Sequence, residues 1–252
     1  MLTLNEVFAQ AGQEEVALIK DEQIFYLVLN REDNVFNYEF MTKIHQCLDE
    51  IEKSQGPACL VTIGTGKKLF STGFDLELWK KSLNDQYQSI LRMQEVLSRF
   101  LTLEIPTMCV FNGSAIAGGL LLGLTHDFRI LREEKAYICL SELNFGGTLT
   151  PGLASLLRNS VTPKVAKQLM FGGRFKSLQA LKMDVVDNLF KDQEDLESQI
   201  RAFEKEYAPK AEYRISLKDY KTNLNIQAHK DLMFEGMTRR EMIARFNLGV
   251  KL

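Results

Sequence analysis

No pair of cysteines in this chain is spaced as CxxC, and its three histidines, His45, His126 and His229, stand far apart with no HExxH among them. Those absences speak against a catalytic zinc centre, and no metal is assigned. Cys47, Cys59, Cys109 and Cys139 sit mostly among apolar neighbours and read as small buried hydrophobes of a reducing compartment. Neither sign of charge predominates. Against 33 acidic side chains stand 31 basic ones, and a net charge of −2 offers nucleic acid no electrostatic footprint. No apolar run reaches the ~20 residues of a membrane span. GxxxxGK[ST] and GxGxxG are missing, which removes the common phosphate and dinucleotide loops. Residues 1–30 hold no arginine but include Glu6, Glu14, Glu15 and Asp21, the wrong composition for a transit peptide, and no apolar h-region marks secretion.

What remains is an ordinary globular composition, 45% hydrophobic and 25% charged over 252 residues. A chain of that length buries roughly 70–75% of its unfolded surface and needs no disulfide or metal to hold its core. Glu15 to Lys20 and Ile24 to Leu29 predict a hairpin. Asn37 is placed to cap a helix with Phe40, Ile44, Leu48 and Ile51 on one face, stopped at Gln55-Gly56-Pro57. Ala58 to Ile63 predicts a buried strand, and Asp85 to Leu103 a helix whose Ile90, Met93, Leu97 and Phe100 face a core. Thr107 to Phe111, Phe128 to Leu131 and Ala136 to Leu140 predict further strands, with an apolar helix at Leu120 to Thr125. From Pro151 helices dominate: Pro163 suits a first turn, Gly172-Gly173 a C-terminus and Ser177 the next cap. The expectation is an α/β core over residues 1–192 and a helical region over 193–252. Phe203, Met233, Phe234, Met237, Met242 and Phe246 of that region need a surface to cover, on the core or on a neighbouring subunit.

Three segments carry chemistry. Leu69-Phe70-Ser71-Thr72-Gly73-Phe74-Asp75-Leu76 follows a buried strand. Asn112-Gly113-x-Ala115-x-x-Gly118-Gly119 enters a helix. Leu140-Ser141-Glu142-Leu143-Asn144-Phe145-Gly146 leaves a strand. Glycines at 73, 113, 118 and 119 let backbone approach a ligand and turn N–H groups toward it, and the second segment adds a helix N-terminus. The third offers one carboxylate. Two oriented donors and one base are what proton abstraction beside a carbonyl requires. Alone, each segment has a plainer explanation: a structural turn, or a solvated Glu.

Taken in order, the segments resemble the crotonase (enoyl-CoA hydratase/isomerase) superfamily. FSTGFDL resembles its first signature, NGSAIAGGLLLGLTHDFRI its second and KAYICLSELNFG its third; SLQALKMDVVDNLF is similar to a later family segment. The resemblance covers about Val16 to Phe190. It implies an α/β spiral of ββα turns with a C-terminal α-helical region that builds a homotrimer or a dimer of trimers. It also implies an oxyanion hole from the N–H groups of Phe74 and Gly118, worth about 6–8 kcal/mol to the transition state. Glu142 falls on the second catalytic glutamate of the hydratases, while Leu121 falls on the first. One carboxylate suits a Δ3,Δ2-enoyl-CoA isomerase of β-oxidation better than a hydratase, because moving a proton from C2 to C4 needs one base and no activated water.

By the same resemblance Val35, Phe70, Ser71, Thr72, Gly73, Asp75, Leu76, Ala115 and Leu121 are expected along the path of the thioester and coenzyme A. The coenzyme A thioester is the substrate, so no cofactor is expected. Trp79 is a candidate wall of the acyl pocket, Asp75 and Asp127 are candidate hydrogen-bonding supports, and His126 a core position. Ala117 replaces a family glycine, which a negative φ would allow; Asp184 replaces another, at a turn where Asp tolerates the left-handed region. The alternatives are a non-enzymatic scaffold subunit of a larger assembly, or another acyl-CoA reaction: weak hydration, decarboxylation or thioester hydrolysis. Val250-Lys251-Leu252 resembles a peroxisomal address with Val in place of the small residue, giving the peroxisome as the expected compartment and the mitochondrion as the alternative.

Overall fold

The computed structural model describes residues 2–233. Phe234, Met237, Met242, Phe246 and the Val250-Lys251-Leu252 tripeptide therefore lie outside the described residues. The chain opens with α1 (Leu4–Ala11), which sequence periodicity did not suggest; a Thr3–Glu6 capping box starts it, and Leu4, Val7 and Ala11 bury its inner face. The expected hairpin follows as β1 (Val16–Asp21) and β2 (Ile24–Leu29), in register from Val16 opposite Leu29 to Asp21 opposite Ile24. Helix α2 (Tyr38–Lys53) begins where Asn37 accepts a hydrogen bond from the Phe40 N–H, and buries the predicted stripe of Phe40, Ile44, Leu48 and Ile51.

From there the chain winds in ββα turns. The first contains β3 (Cys59–Gly64), β4 (Leu69–Ser71), α3 (Leu76–Lys81) and α4 (Leu83–Leu101); the second β5 (Thr107–Phe111), β6 (Ser114–Ile116) and α5 (Gly118–Gly123). The third opens with β7 (Phe128–Arg132) and β8 (Tyr137–Cys139) and continues through a single 3₁₀ turn, Glu142–Phe145, into α6 (Pro151–Ser160) and α7 (Pro163–Met170). Then come β9 (Phe175–Lys176), α8 (Ser177–Lys182) and β10 (Asn188–Phe190), followed by the helices α9 (Gln193–Tyr207), α10 (Arg214–Leu224) and α11 (Ile226–Met233). The opening strand of each turn joins a six-stranded sheet of order β1-β2-β3-β5-β7-β10, and the second strand joins a four-stranded sheet of order β4-β6-β8-β9. This is the expected spiral. Successive turns stack in parallel, β2 on β3, β3 on β5 and β5 on β7, so β4, β6 and β8 stand side by side and their C-terminal ends converge.

Two local readings are corrected and one element is added. Ser177 is the first residue of α8 and not its cap; its hydroxyl donates to the carbonyls of Arg132 and Ala136. Residues 76–81, to which the sequence assigned no element, form α3, capped by Asp75. Glu142 begins a 3₁₀ turn that follows β8 after a two-residue interval.

The helical region packs on the sheet. Leu196, Ile200 and Phe203 of α9 join a buried cluster with Val61, Val110 and Ile130, and Phe203 meets Phe128 edge-on. Lys221 of α10 is 6% exposed and reaches the Asp127 carboxylate at 2.5 Å and the Ile105 carbonyl at 2.8 Å. Asp127 in turn accepts from the backbone and hydroxyl of Thr107, the supporting role expected of it. His126 is a buried core residue as expected: it bonds Thr62 at 2.8 Å, stacks on Phe100 and is driven down to a pKa of about 3 by burial.

Candidate active site

The three motif segments meet at those converging strand ends. Asn34, fully buried, ties the first one down: its side-chain amide donates to the Phe70 carbonyl, its backbone carbonyl accepts from Ser71 Oγ, and Ser71 Oγ accepts from the Gly73 N–H. Phe36 then brackets Phe74, donating to the Gly73 carbonyl and accepting from the Asp75 N–H. In such a bridge the N–H of Phe74 itself faces away from Phe36. The second segment is held against it: a Cβ placed on Gly73 would come within 2.7 Å of the Gly118 nitrogen, and one on Gly119 within 2.6 Å of the Ser71 carbonyl. Only glycine permits that approach, and Gly73 also takes φ 84°. The result is that the Phe74 and Gly118 nitrogens lie on adjoining backbone, and neither N–H has a hydrogen-bond acceptor among the described residues. Helix α5 spans only six residues, so what the segment contributes is this N–H rather than a sizeable macrodipole.

Ala117, expected at negative φ, has φ 53° and ψ −121°. Its N–H bonds the Cys139 carbonyl at 3.0 Å and its carbonyl accepts from Leu121, so neighbouring elements impose a backbone that an L-residue resists. Asp184 takes φ 54°, the left-handed conformation expected of it.

A cavity of about 60 Å³ opens beside these segments, lined by Phe74 and by Ala117, the residue before Gly118. Thr72, Phe74, Leu76, Ala117 and Glu142 line it on the motif side; Trp79, Ile90, Leu149 and Leu153 supply apolar wall; Ser141, Phe145, Gly147, Thr148 and Thr150 complete it. Trp79 packs on Phe74 with ring centroids 4.5 Å apart, which places it where an acyl wall was expected. Glu142 is the only carboxylate among the lining residues. Its Oε2 is sealed from solvent without a hydrogen-bond partner, and burial pushes its pKa above the ordinary carboxylate value against two weaker backbone hydrogen bonds. A half-buried carboxylate of raised pKa, with one oxygen sealed and unpartnered beside a cavity, is equipped to take up a proton.

Other residues expected along the ligand path are placed differently. Phe70, Ser71 and Ala115 are 0% exposed, and Phe70 packs edge-on against Phe111 in the core. Leu121 is 1% exposed within the main core cluster and does not line the cavity. Val35 is half-buried, away from the cavity, and its carbonyl accepts from Arg31. Asp75 caps α3 by accepting from the Leu78 N–H at 2.9 Å. These residues support the site from behind, while Thr72, Phe74 and Leu76 face it. Sequence reasoning missed the far wall. Ile90 had been read as plain core, and the 147–153 stretch had only the Thr150-Pro151 helix start as a signal. That wall is anchored from outside: Thr150 bonds Gln94, Gln94 donates to the Leu232 carbonyl, and Gly152 abuts Asp231 so closely that a Cβ would lie 2.7 Å from its carbonyl oxygen.

The enoyl-CoA hydratase/isomerase family model matches residues 20–247, nearly the whole chain. The chain belongs to that family. Within it, Enoyl-CoA delta isomerase 3 of Arabidopsis thaliana is 29% identical across 68% of this chain and 75% of its own length. Enoyl-CoA delta isomerase 2, peroxisomal, from the same plant is 27% identical across 71% and 78%. Hydratase names occur as well: the crotonyl-CoA hydratase of Syntrophomonas wolfei is 26% identical across 63% and 62%. Among solved structures, the apo enoyl-CoA isomerase of Mycobacterium tuberculosis superposes with a TM-score of 0.79 at 18% identity, covering 93% of this chain and 98% of that one. At that identity the superposition shows the crotonase fold and nothing finer.

Proposed function

We propose that the protein is a Δ3,Δ2-enoyl-CoA isomerase. The observation that carries the reading is the single carboxylate among the lining residues, Glu142, which shares the cavity with Phe74, whose N–H, like that of neighbouring Gly118, has no acceptor among the described residues. The thioester oxygen of a 3-enoyl-CoA sits between the Phe74 and Gly118 N–H groups. Their hydrogen bonds strengthen as C2 loses its proton and charge moves onto that oxygen. Glu142 accepts the C2 proton and returns it at C4, giving the conjugated 2-enoyl thioester. The raised pKa brings the carboxyl closer in proton affinity to the dienolate it must reprotonate. Hydration would need a second group to activate water, and position 121 provides none, since Leu121 is enclosed in the core. The delta-isomerase names of the Arabidopsis relatives agree with this choice.

The protein works as a homotrimer, or a dimer of trimers, assembled through its C-terminal helices. Tyr220 and Leu224 lie one turn apart on α10 and, like Tyr213 and Ile215 near its start, are more than 70% exposed, apolar surface left uncovered by the described residues. The deciding assay supplies 3-hexenoyl-CoA and 2-hexenoyl-CoA in parallel and reads conjugation of the first and hydration of the second. The isomerase reading expects the first reaction only. Hydration at a comparable rate overturns it.

A further inference from the structure

Ala117 is the one residue of the 112–119 loop that lines the cavity. Its φ of 53° is a conformation that glycine adopts freely and alanine does not, so the methyl group is present in spite of the backbone. The methyl stands against the Phe74 segment: a Cβ built on Gly73 would stand 3.1 Å from Ala117 Cβ. The backbone of Ala117 is tied to the strand that leads to Glu142, by the hydrogen bond from Ala117 N–H to the Cys139 carbonyl, and Glu142 lines the same cavity. The residue that follows is Gly118, the second oxyanion donor.

We infer that the Ala117 methyl is a specificity element that excludes acyl thioesters branched at C2. The inference rests on the thioester pose given under the proposed function. With the carbonyl oxygen held between Phe74 and Gly118 and one C2 hydrogen facing Glu142, the other C2 substituent is directed at the loop wall. Ala117 is that wall, only 8% exposed and fixed by hydrogen bonds on both sides of its peptide unit. A hydrogen fits there and a methyl group meets a methyl group. Close-packed sites discriminate about 10- to 200-fold over one such carbon, and a wall held by sheet and helix hydrogen bonds cannot retreat as a surface loop does.

The test is calorimetric binding of butanoyl-CoA and 2-methylbutanoyl-CoA to the full-length protein and to two variants whose folding is checked by thermal unfolding. Wild type should bind the straight-chain thioester at least about tenfold more tightly than the branched one. Ala117→Gly should shrink that ratio to about threefold or less, and Ala117→Ser, which keeps the Cβ, should retain it. Equal affinities in wild type, or an unchanged ratio in a folded Ala117→Gly, overturn the inference; the wild-type ratio decides even if a variant fails to fold. Neither probe has a double bond to move, so the ratio is read without turnover. A protein that shows the preference but isomerises nothing keeps this inference and loses the isomerase reading.

Discussion

In the proposed mechanism Glu142 is the base, and its burial comes at the cost of local stability. Its raised folded-state pKa means that the native protein binds this proton more tightly than the unfolded chain does, so its contribution to stability falls as pH rises from the ordinary carboxylate range through the folded pKa. Glu142→Gln has no proton to lose. It should therefore melt at a higher temperature than wild type near neutral pH, with the gap closing as pH falls below about 4. The same variant should lower kcat on a 3-enoyl-CoA by ~10²–10⁴-fold and leave KM nearly unchanged, because backbone and pocket hold the thioester. The acid limb of the wild-type kcat profile should lie above the usual carboxylate range, since the reaction needs the charged form. A Gln variant with normal turnover refutes the mechanism. Ala117 has the same balance: relief of its positive φ should make Ala117→Gly about 1 kcal/mol more stable by urea titration, after the added backbone entropy of glycine is subtracted.

At the scale of elements, the site exists because β4 and α5 touch backbone to backbone. Gly73 and Gly119 are the contact points, and both would thrust a Cβ into main-chain atoms of the other segment. Gly73→Ala meets two penalties at once, a φ of 84° and a 2.7 Å approach to the Gly118 nitrogen. It should cost about 1–3 kcal/mol of stability. By parting the two donors it should also reduce kcat by ~10²-fold or more, even with Glu142 intact. Stopped assays beside a melting curve check both. Full activity in Gly73→Ala would mean that the Phe74 and Gly118 N–H groups do not act as a pair. The opposite wall depends on α4, α6 and α11 through Gln94, Thr150 and Gly152, so both sides of the cavity are set by contacts between elements distant in sequence.

For the molecule as a whole, the proposed assembly rests on the exposed apolar side chains of α10. Burying side chains of the kind found at Ile215 and Leu224 contributes about 1.5–3 kcal/mol each, while two carboxylates facing each other across a subunit boundary reverse the sign. Light scattering should give a trimer or hexamer at micromolar concentration, and Ile215→Asp with Leu224→Asp should give a monomer with native circular dichroism. A wild-type monomer with full activity would refute the assembly.

Local sequence determined much of this protein. Asn37 before a 3.6-residue stripe, the apolar run from Ala58 to Ile63, Pro163 at a helix start and Asp184 at a left-handed turn each folded as their own chemistry dictates, because caps, periodicity and turn residues act over a few positions. The glycines and Glu142 were legible as chemistry for a related reason: a base and a ligand-facing turn need particular residue types. Which side chains face the cavity was not legible. Phe70, Ser71 and Ala115 are motif residues turned into the core, Leu121 stands at the position of a hydratase carboxylate from inside it, and Ile90 and Leu153 line the cavity from helices outside the three motifs. Ala117 shows the limit most clearly. Its positive φ contradicts its own preference and is imposed by Cys139 and Leu121, so only the stacked turns of the spiral could decide it.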